Sequence, residues 1–482
     1  MRLKLAAAAS LSLIACLPIE PVSSAGPQSG EFLGRCRVPG VPAEARCGTY
    51  EVWEDREARA GRRIALNVVV LPARDPRPEL GAYVVLAGGP GAAATANARR
   101  FANSWQREHQ DILLVDQRGT GKSNPLGCDL SRPDDDAQAY LDAPFGRLAE
   151  FEACRDTLSA TADLTLYTTP IAMDDLNEVR AALGYEVLTV TGGSYGSRAA
   201  LVYLRRHPET VRIAVINGIA PIAFTNPLYH SSEAQKALDV TFEECATTPV
   251  CADAFPDLSR KFDELLARLE AEPATVRIVD PDTRAPADVL LTRGGFAEAL
   301  RVFTYAMPRA RRVPLLIHSA WQGNYAPFVQ AGINSNRGLG LALKIGMLLS
   351  VTCVEDVARI DEEAIDEVTS GTYLGDERVR TQMAVCSTWP RGRIAADYGE
   401  PVSVDVPVLV LSGTHDPVTG PDWGTEAASH LPNSLHLVVA GAHGVGGSCV
   451  EGITRRFVEA GTLAGLDTSC VENVTLPPFV LQ

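Results

Sequence analysis

The sequence predicts an α/β protein: a mostly parallel sheet covered by helices on both faces and interrupted by a helical insertion. Three observations predict it. Short apolar runs rich in Val, Ile and Leu, bounded by turn residues, recur through the first half of the chain. Helical patterns separate the later runs, and after a long, mainly helical stretch two more runs of the same kind appear. Strands that alternate with helices need crossover connections, and crossovers favour parallel pairing.

The elements follow in order. Arg2 and Lys4 precede an apolar stretch from Leu5 to Ala15, which Pro18 ends. The stretch is too short to span a bilayer, which takes about 20 residues, so residues 1–25 read as an export signal. Two processing routes are open. Leu13-Ile14-Ala15-Cys16 resembles a bacterial lipobox, which would place a lipid on Cys16. Ser23-Ser24-Ala25 offers small residues for ordinary cleavage and a free secreted product. The first part of the core is expected over 30–221, with strands at 63–71, 83–87, 111–115, 187–190 and 211–216. Helices are expected at 173–183 and 197–206. A helical cap is expected over 222–395, with helices at 258–269 and 295–305. Its segment 339–351 is strongly apolar with a single Lys, but too short to cross a membrane. Strands at 406–411 and 435–439 return the chain to the core over 396–482.

Composition sets limits. Of 482 residues, 46% are hydrophobic and 21% charged, which excludes a disordered, collagenous or coiled-coil protein. Lys+Arg 44 against Asp+Glu 59 gives a net charge of −15, which argues against nucleic acid as a partner. There are 11 cysteines, none at C-x-x-C spacing, so a zinc or redox site finds no support and no metal is expected. Export favours disulfides. Proximity along the chain suggests Cys36–Cys47, Cys128–Cys154, Cys245–Cys251, Cys353–Cys386 and Cys449–Cys470, although spacing does not fix connectivity. Membrane attachment is expected only through a lipid on Cys16.

Gly192-Gly193-Ser194-Tyr195-Gly196 matches G-x-S-x-G. Chance alone gives roughly 0.2 such matches in a chain of this composition, so the context matters. A strand precedes the motif and a helix follows it, which puts Ser194 on a sharp strand-to-helix turn with its hydroxyl exposed. A hydroxyl needs a base, and the base needs an acid to orient it. In a fold of this kind the two come after late strands, acid first. Asp416 in Gly413-Thr414-His415-Asp416-Pro417 and His443 in Gly441-Ala442-His443-Gly444 hold those places. An Asx turn before Pro417 is the plain alternative for Asp416, and Asp405 and Asp422 are the replacement acids. His415 adjoins the acid itself, while His207, His318 and His430 lie in helical patterns. Gly88-Gly89-Pro90-Gly91 follows an early strand. The amides of Gly89 and Tyr195 are the expected oxyanion donors, since Pro90 has none.

Together these segments resemble the proline iminopeptidase and tripeptidyl aminopeptidase branch of the α/β-hydrolases. Asp116-Gln117-Arg118-Gly119-Thr120-Gly121-Lys122-Ser123 adds to the likeness, and its Asp116 and Arg118 read as structural. The cysteine pattern, Cys353-Val354-Glu355-Asp356 and Ala87 look more like the tripeptidyl aminopeptidase side. Asn217 departs from the pattern, because many relatives carry Asp there. The resemblance implies an exported serine exopeptidase without a cofactor. It would release short N-terminal fragments, from one residue to a tripeptide, from peptides with a free N-terminus. A cap carboxylate would bind the substrate ammonium, with Glu355 and Asp356 as candidates. A carboxylesterase or lipid esterase would use the same triad, and an apolar cap lining from 339–351 would favour it. A non-catalytic binding protein of this fold would be marked by a lost triad member, and none is missing.

Overall fold

The computed structural model describes residues 32–42, 44–128, 137–141 and 147–482. The export-signal reading of residues 1–25, with Cys16, lies outside them. A nine-stranded sheet forms the centre. It opens with β1 (Leu33–Cys36), β2 (Ala45–Trp53) and β3 (Arg63–Leu71), paired antiparallel. Next come β4 (Ala82–Leu86), β5 (Ile112–Val115), β6 (Leu188–Ser194) and β7 (Val211–Ile219). A separate hairpin holds β8 (Ala274–Val279) and β9 (Pro286–Leu291), and β10 (Val408–Gly413) and β11 (Ser434–Val439) finish the sheet. The strand order is β1-β2-β3-β5-β4-β6-β7-β10-β11, and from β5 to β11 every neighbouring pair is parallel.

Alternation along each strand builds one core on each face of the sheet. Val84, Leu113, Ile216 and Val410 face one side, where the helices Thr169–Ala182 and Tyr195–Arg206 pack. Tyr83, Leu114, Val215 and Leu411 face the other, against the helix Ser448–Ala460. After β4 the chain steps to β5 on one side and then to β6 on the other. The crevice beyond the C-terminal ends of β4 and β6 is therefore the place where such sheets bind ligands.

Between β7 and β10 the chain builds a second apolar core, including Phe262, Phe296 and Phe328. It is not purely helical, because β8 and β9 form a hairpin there. Ala137 and Leu141, from the chain before β6, also pack into this core. The apolar 339–351 segment is not one helix. The helix Ala326–Ala342 ends, Lys344 N donates to Gly91 O at 3.0 Å, and a new helix runs over Ile345–Glu355. Met347, Leu349 and Val351 pack into the main core instead of lining a cap. Five disulfides pair Cys36–Cys47, Cys128–Cys154, Cys245–Cys251, Cys353–Cys386 and Cys449–Cys470. No helix among the described residues is long and apolar enough to cross a membrane.

Candidate active site

The turn from β6 into the helix Tyr195–Arg206 is as tight as its glycines allow. A Cβ on Gly192 would lie 2.0 Å from Gly196 O, and one on Gly196 would lie 2.2 Å from Leu86 O. Between them Ser194 adopts φ 56° and ψ −132°, a conformation that costs a non-glycine residue roughly 1–3 kcal/mol. Tyr195 begins the helix, so its amide belongs to the first turn, where N–H groups have no intrahelical partner. The Gly88–Gly91 loop packs directly on the serine, since a Cβ on Gly88 would meet Ser194 Cβ at 3.3 Å. Asp116 steadies the chain beyond that loop by accepting from Thr95 N, Thr95 Oγ1 and Asn67 Nδ2. Arg118 is fully buried against Asp175 and backbone carbonyls.

Asp416 and His443 come together at the ends of β10 and β11. His443 Nδ1 lies 2.9 Å from both Asp416 oxygens. The carboxylate also accepts from Val418 N, Thr419 N and Thr419 Oγ1. That arrangement fixes the imidazole with Nδ1–H toward the acid, leaving Nε2 as the free base. Burial disfavours a charged His443, but Asp416 outweighs it and holds the imidazole pKa above the usual 6.5. Ser194 and His443 open on one cavity, and no hydrogen bond joins them among the described residues. Such bonds commonly form only once substrate is bound. The replacement acids are placed elsewhere: Asp405 is exposed, and Asp422 pairs with Lys236.

Glu355 and Asp356 do not face this cavity, which corrects the expectation that they bind a substrate ammonium. Both are fully buried behind the helix that starts at Tyr195. Asp356 pairs with Arg198 at 2.5 Å. Glu355 accepts from Thr169 N, Thr169 Oγ1 and Tyr398 OH. Thr169 gives its one proton to Glu355, so Tyr195 OH donates to Thr169 Oγ1 at 2.7 Å. The two acids thus hold the helix behind the serine, and both are buried away from the cavity.

Three further residues shape the site, of which the sequence marks only Asn217 as a departure from the family pattern. Asn217 donates to Val445 O at 2.8 Å and accepts from Val445 N at 2.9 Å, which clamps the loop that carries His443. An amide supplies both roles, whereas a carboxylate could only accept. Thr419 touches both members of the acid–imidazole pair, at 3.0 Å to Asp416 Oδ2 and 3.3 Å to His443 Nδ1. Its signal was its place three residues after Asp416. Tyr305 sets its ring 5.3 Å from that of His443, tilted by 53°, and nothing in its local sequence marks it. Among the described residues no cluster of His, Cys, Asp and Glu is placed to hold a metal ion.

The chain is 24% identical to the serine protease Hip1 of Mycobacterium tuberculosis, over 89% of this chain and 88% of that protein. It is 26% identical to carboxylesterase B of the same species, over 88% and 86%. Tripeptidyl aminopeptidase of Streptomyces lividans is 29% identical, over 42% of this chain and 40% of that one. Among solved structures, proline iminopeptidase of Mycobacterium smegmatis covers 86% of this chain and 99% of its own, with 18% identity and a TM-score of 0.43. The family defined by the alpha/beta hydrolase fold matches residues 84–445. The sheet order, the strained serine turn and that match agree: the chain belongs to the α/β-hydrolase family, as one of its serine hydrolases.

Proposed function

We propose that this chain is an exported serine aminopeptidase that releases short N-terminal fragments from peptides with a free N-terminus. The observation that carries the serine-hydrolase chemistry is the Asp416–His443 pair, whose imidazole lines the same cavity as Ser194; the peptidase reading rests on the likeness to a serine protease. His443 Nε2 takes the Ser194 proton as Oγ attacks the substrate carbonyl. Asp416 keeps the imidazole in its tautomer and stabilises the charged form. The amides of Gly89 and Tyr195 receive the oxyanion. His443 then gives the proton to the leaving amine, and water, deprotonated by the same imidazole, hydrolyses the acyl-enzyme.

Likeness to a serine protease over most of the length supports the peptidase reading. Likeness to a carboxylesterase over a similar span supports an esterase as the second reading. Met347, Leu349 and Val351 lie in the main core, while Leu343 of the same segment packs on the Gly88–Gly91 loop. Five disulfides support export, since such bonds persist in oxidising compartments. Cys16 lipidation and free secretion are the two forms that export would take.

The test compares a short peptide anilide with its N-acetylated twin on the purified mature protein. Cleavage of the free-amine form alone supports the aminopeptidase. Equal cleavage of both, or of neither beside good turnover of a simple ester, overturns it in favour of the esterase. Ser194→Ala should lower turnover about 10⁴–10⁶-fold without unfolding the chain.

A further inference from the structure

The loop Gly88–Gly91 carries the expected oxyanion donor, yet nothing in its own composition holds it. Three of its four residues are glycine, and Gly89 and Gly91 take φ of 116° and 112°. Glycines bring no side chain that could pack, so the loop must be held from outside. On one side it rests on the serine turn, where a Cβ on Gly88 would lie 3.2 Å from Gly193 O. On the other side lies the insertion between β7 and β10. Leu343 forms an antiparallel bridge with Ala92, and Lys344 N donates to Gly91 O at 3.0 Å. The two backbones touch, since a Cβ on Gly91 would lie 2.7 Å from Lys344 O. A Cβ on Gly89 would lie 2.9 Å from Leu343 Cδ2, so the leucine fills the space where a side chain of Gly89 would begin.

Leu343 and Lys344 are the whole link between two helices that belong to different cores. The helix Ala326–Ala342 packs Phe328, Val329 and Ile333 into the core of the insertion. The helix Ile345–Glu355 packs Met347, Leu349 and Val351 into the main core. Its start is tightly seated. A Cβ on Gly346 would lie 2.5 Å from Leu158 Cδ1, and a Cβ on Gly119 would lie 2.6 Å from Met347 Sδ. Gly119 belongs to the Asp116–Ser123 segment, whose Asp116 binds Thr95 just beyond the glycine loop. That segment therefore supports the loop twice, directly through Thr95 and through Met347 at the base of the link. An oxyanion donor works only when its N–H is preset at roughly 3 Å from the developing charge, and a displacement of about 1 Å can cost about a hundredfold in rate. We propose that Leu343 is a positioning residue for the oxyanion hole: its side chain, set between the two cores, keeps Gly89 where its amide meets the substrate's carbonyl oxygen. The insertion thereby takes part in the chemistry through the loop it holds, without supplying a group to the reacting atoms. The assignment rests on Ser194 as nucleophile and Gly89 as donor.

The test uses the full mature chain, a peptide anilide, 4-nitrophenyl acetate and two inhibitors. One inhibitor is a trifluoromethyl ketone. Ser194 Oγ bonds to its carbonyl carbon, the π pair moves onto the oxygen as an oxyanion, and His443 keeps the serine proton. The other is the matching secondary alcohol, which has nearly the same shape and forms no oxyanion. Leu343→Ala is expected to lower kcat about 10–100-fold with KM within about threefold of wild type. The ketone should weaken by the same factor as kcat/KM, while the alcohol binds as before. Leu343→Met restores the reach of the side chain and should return kcat to within about threefold of wild type. Should Leu343→Ala fail to fold, Leu343→Val is read by the same criteria, with an expected fall of about 3–10-fold. Wild-type kcat in the folded variant overturns the assignment. So does a fall in kcat with the ketone as tight as before, or an equal weakening of ketone and alcohol. A wild-type chain that cleaves the ester and not the anilide overturns the peptidase reading alone, and the variants are then compared on the ester. Full turnover by Ser194→Ala overturns the nucleophile, and this assignment with it.

Discussion

Replacing Asp356 by Asn separates a structural acid from a substrate-binding one. Asp356 and Arg198 are 0% and 3% exposed at the side chain and meet at 2.5 Å. Beyond the carboxylate, the guanidinium has only the carbonyls of Ala220, Pro221 and Phe224. Burial works against the charge on Arg198, and Asp356 more than restores it. Asn keeps the shape and one acceptor but takes away the charge in direct contact with the buried cation, leaving Glu355 as its remaining acid neighbour. Removing one partner of a buried pair costs about 3–5 kcal/mol. The retained acceptor places Asn at the low end, about 3 kcal/mol, or roughly a hundredfold in the folding equilibrium. The assay is the urea midpoint at constant slope, read beside KM for a free-amine substrate and its N-acetylated twin. The structure predicts lower stability with the two KM values changing together. Stability within about 0.5 kcal/mol of wild type, with KM raised for the free-amine substrate alone, would refute the reasoning and return Asp356 to the ammonium.

Other outcomes follow from the site. Because Asp416 raises the His443 pKa and the base must be neutral, kcat/KM should climb with pH through a limb above 6.5. Asp416→Asn should move that limb down and lower the plateau, and a limb that stays in place would contradict the pairing. Asn217→Ala removes two hydrogen bonds from the histidine loop, together about 1–3 kcal/mol. If the clamp positions His443, kcat should drop about 5–150-fold with KM little changed, and wild-type kcat would show that the loop holds itself.

The strands that proved legible are those with continuous apolar runs, because burial on both faces leaves few polar positions. Residues 63–71 and 211–216 fall within β3 and β7 for that reason. The opening strands β1 and β2 escaped. Leu33-Gly34-Arg35-Cys36 is mostly exposed at the edge and carries no run to read. In β8, buried Val276 and Ile278 alternate with exposed neighbours, but the surrounding helical rhythm hid the pattern. At the site, the serine turn carries its own local signature, and strand order brought Asp416 and His443 into consideration. Glu355 and Asp356 misled because their partners, Thr169 and Arg198, lie more than 150 residues away in the chain. A charge pair at the end of an apolar helix looks the same from sequence whether it binds a ligand or a buried guanidinium. Asn217 stood out only as a departure, and its meaning lay in the Val445 backbone 228 residues on.

The account turns on a covalent bond to Ser194. The direct measurement is intact and peptide mass spectrometry of the mature protein after reaction with a fluorophosphonate, alongside Ser194→Ala and His443→Ala. The account predicts one adduct per chain on the peptide that contains Ser194, with none on Ser194→Ala and markedly slowed labelling of His443→Ala. An adduct elsewhere, or equal labelling of Ser194→Ala, would contradict it.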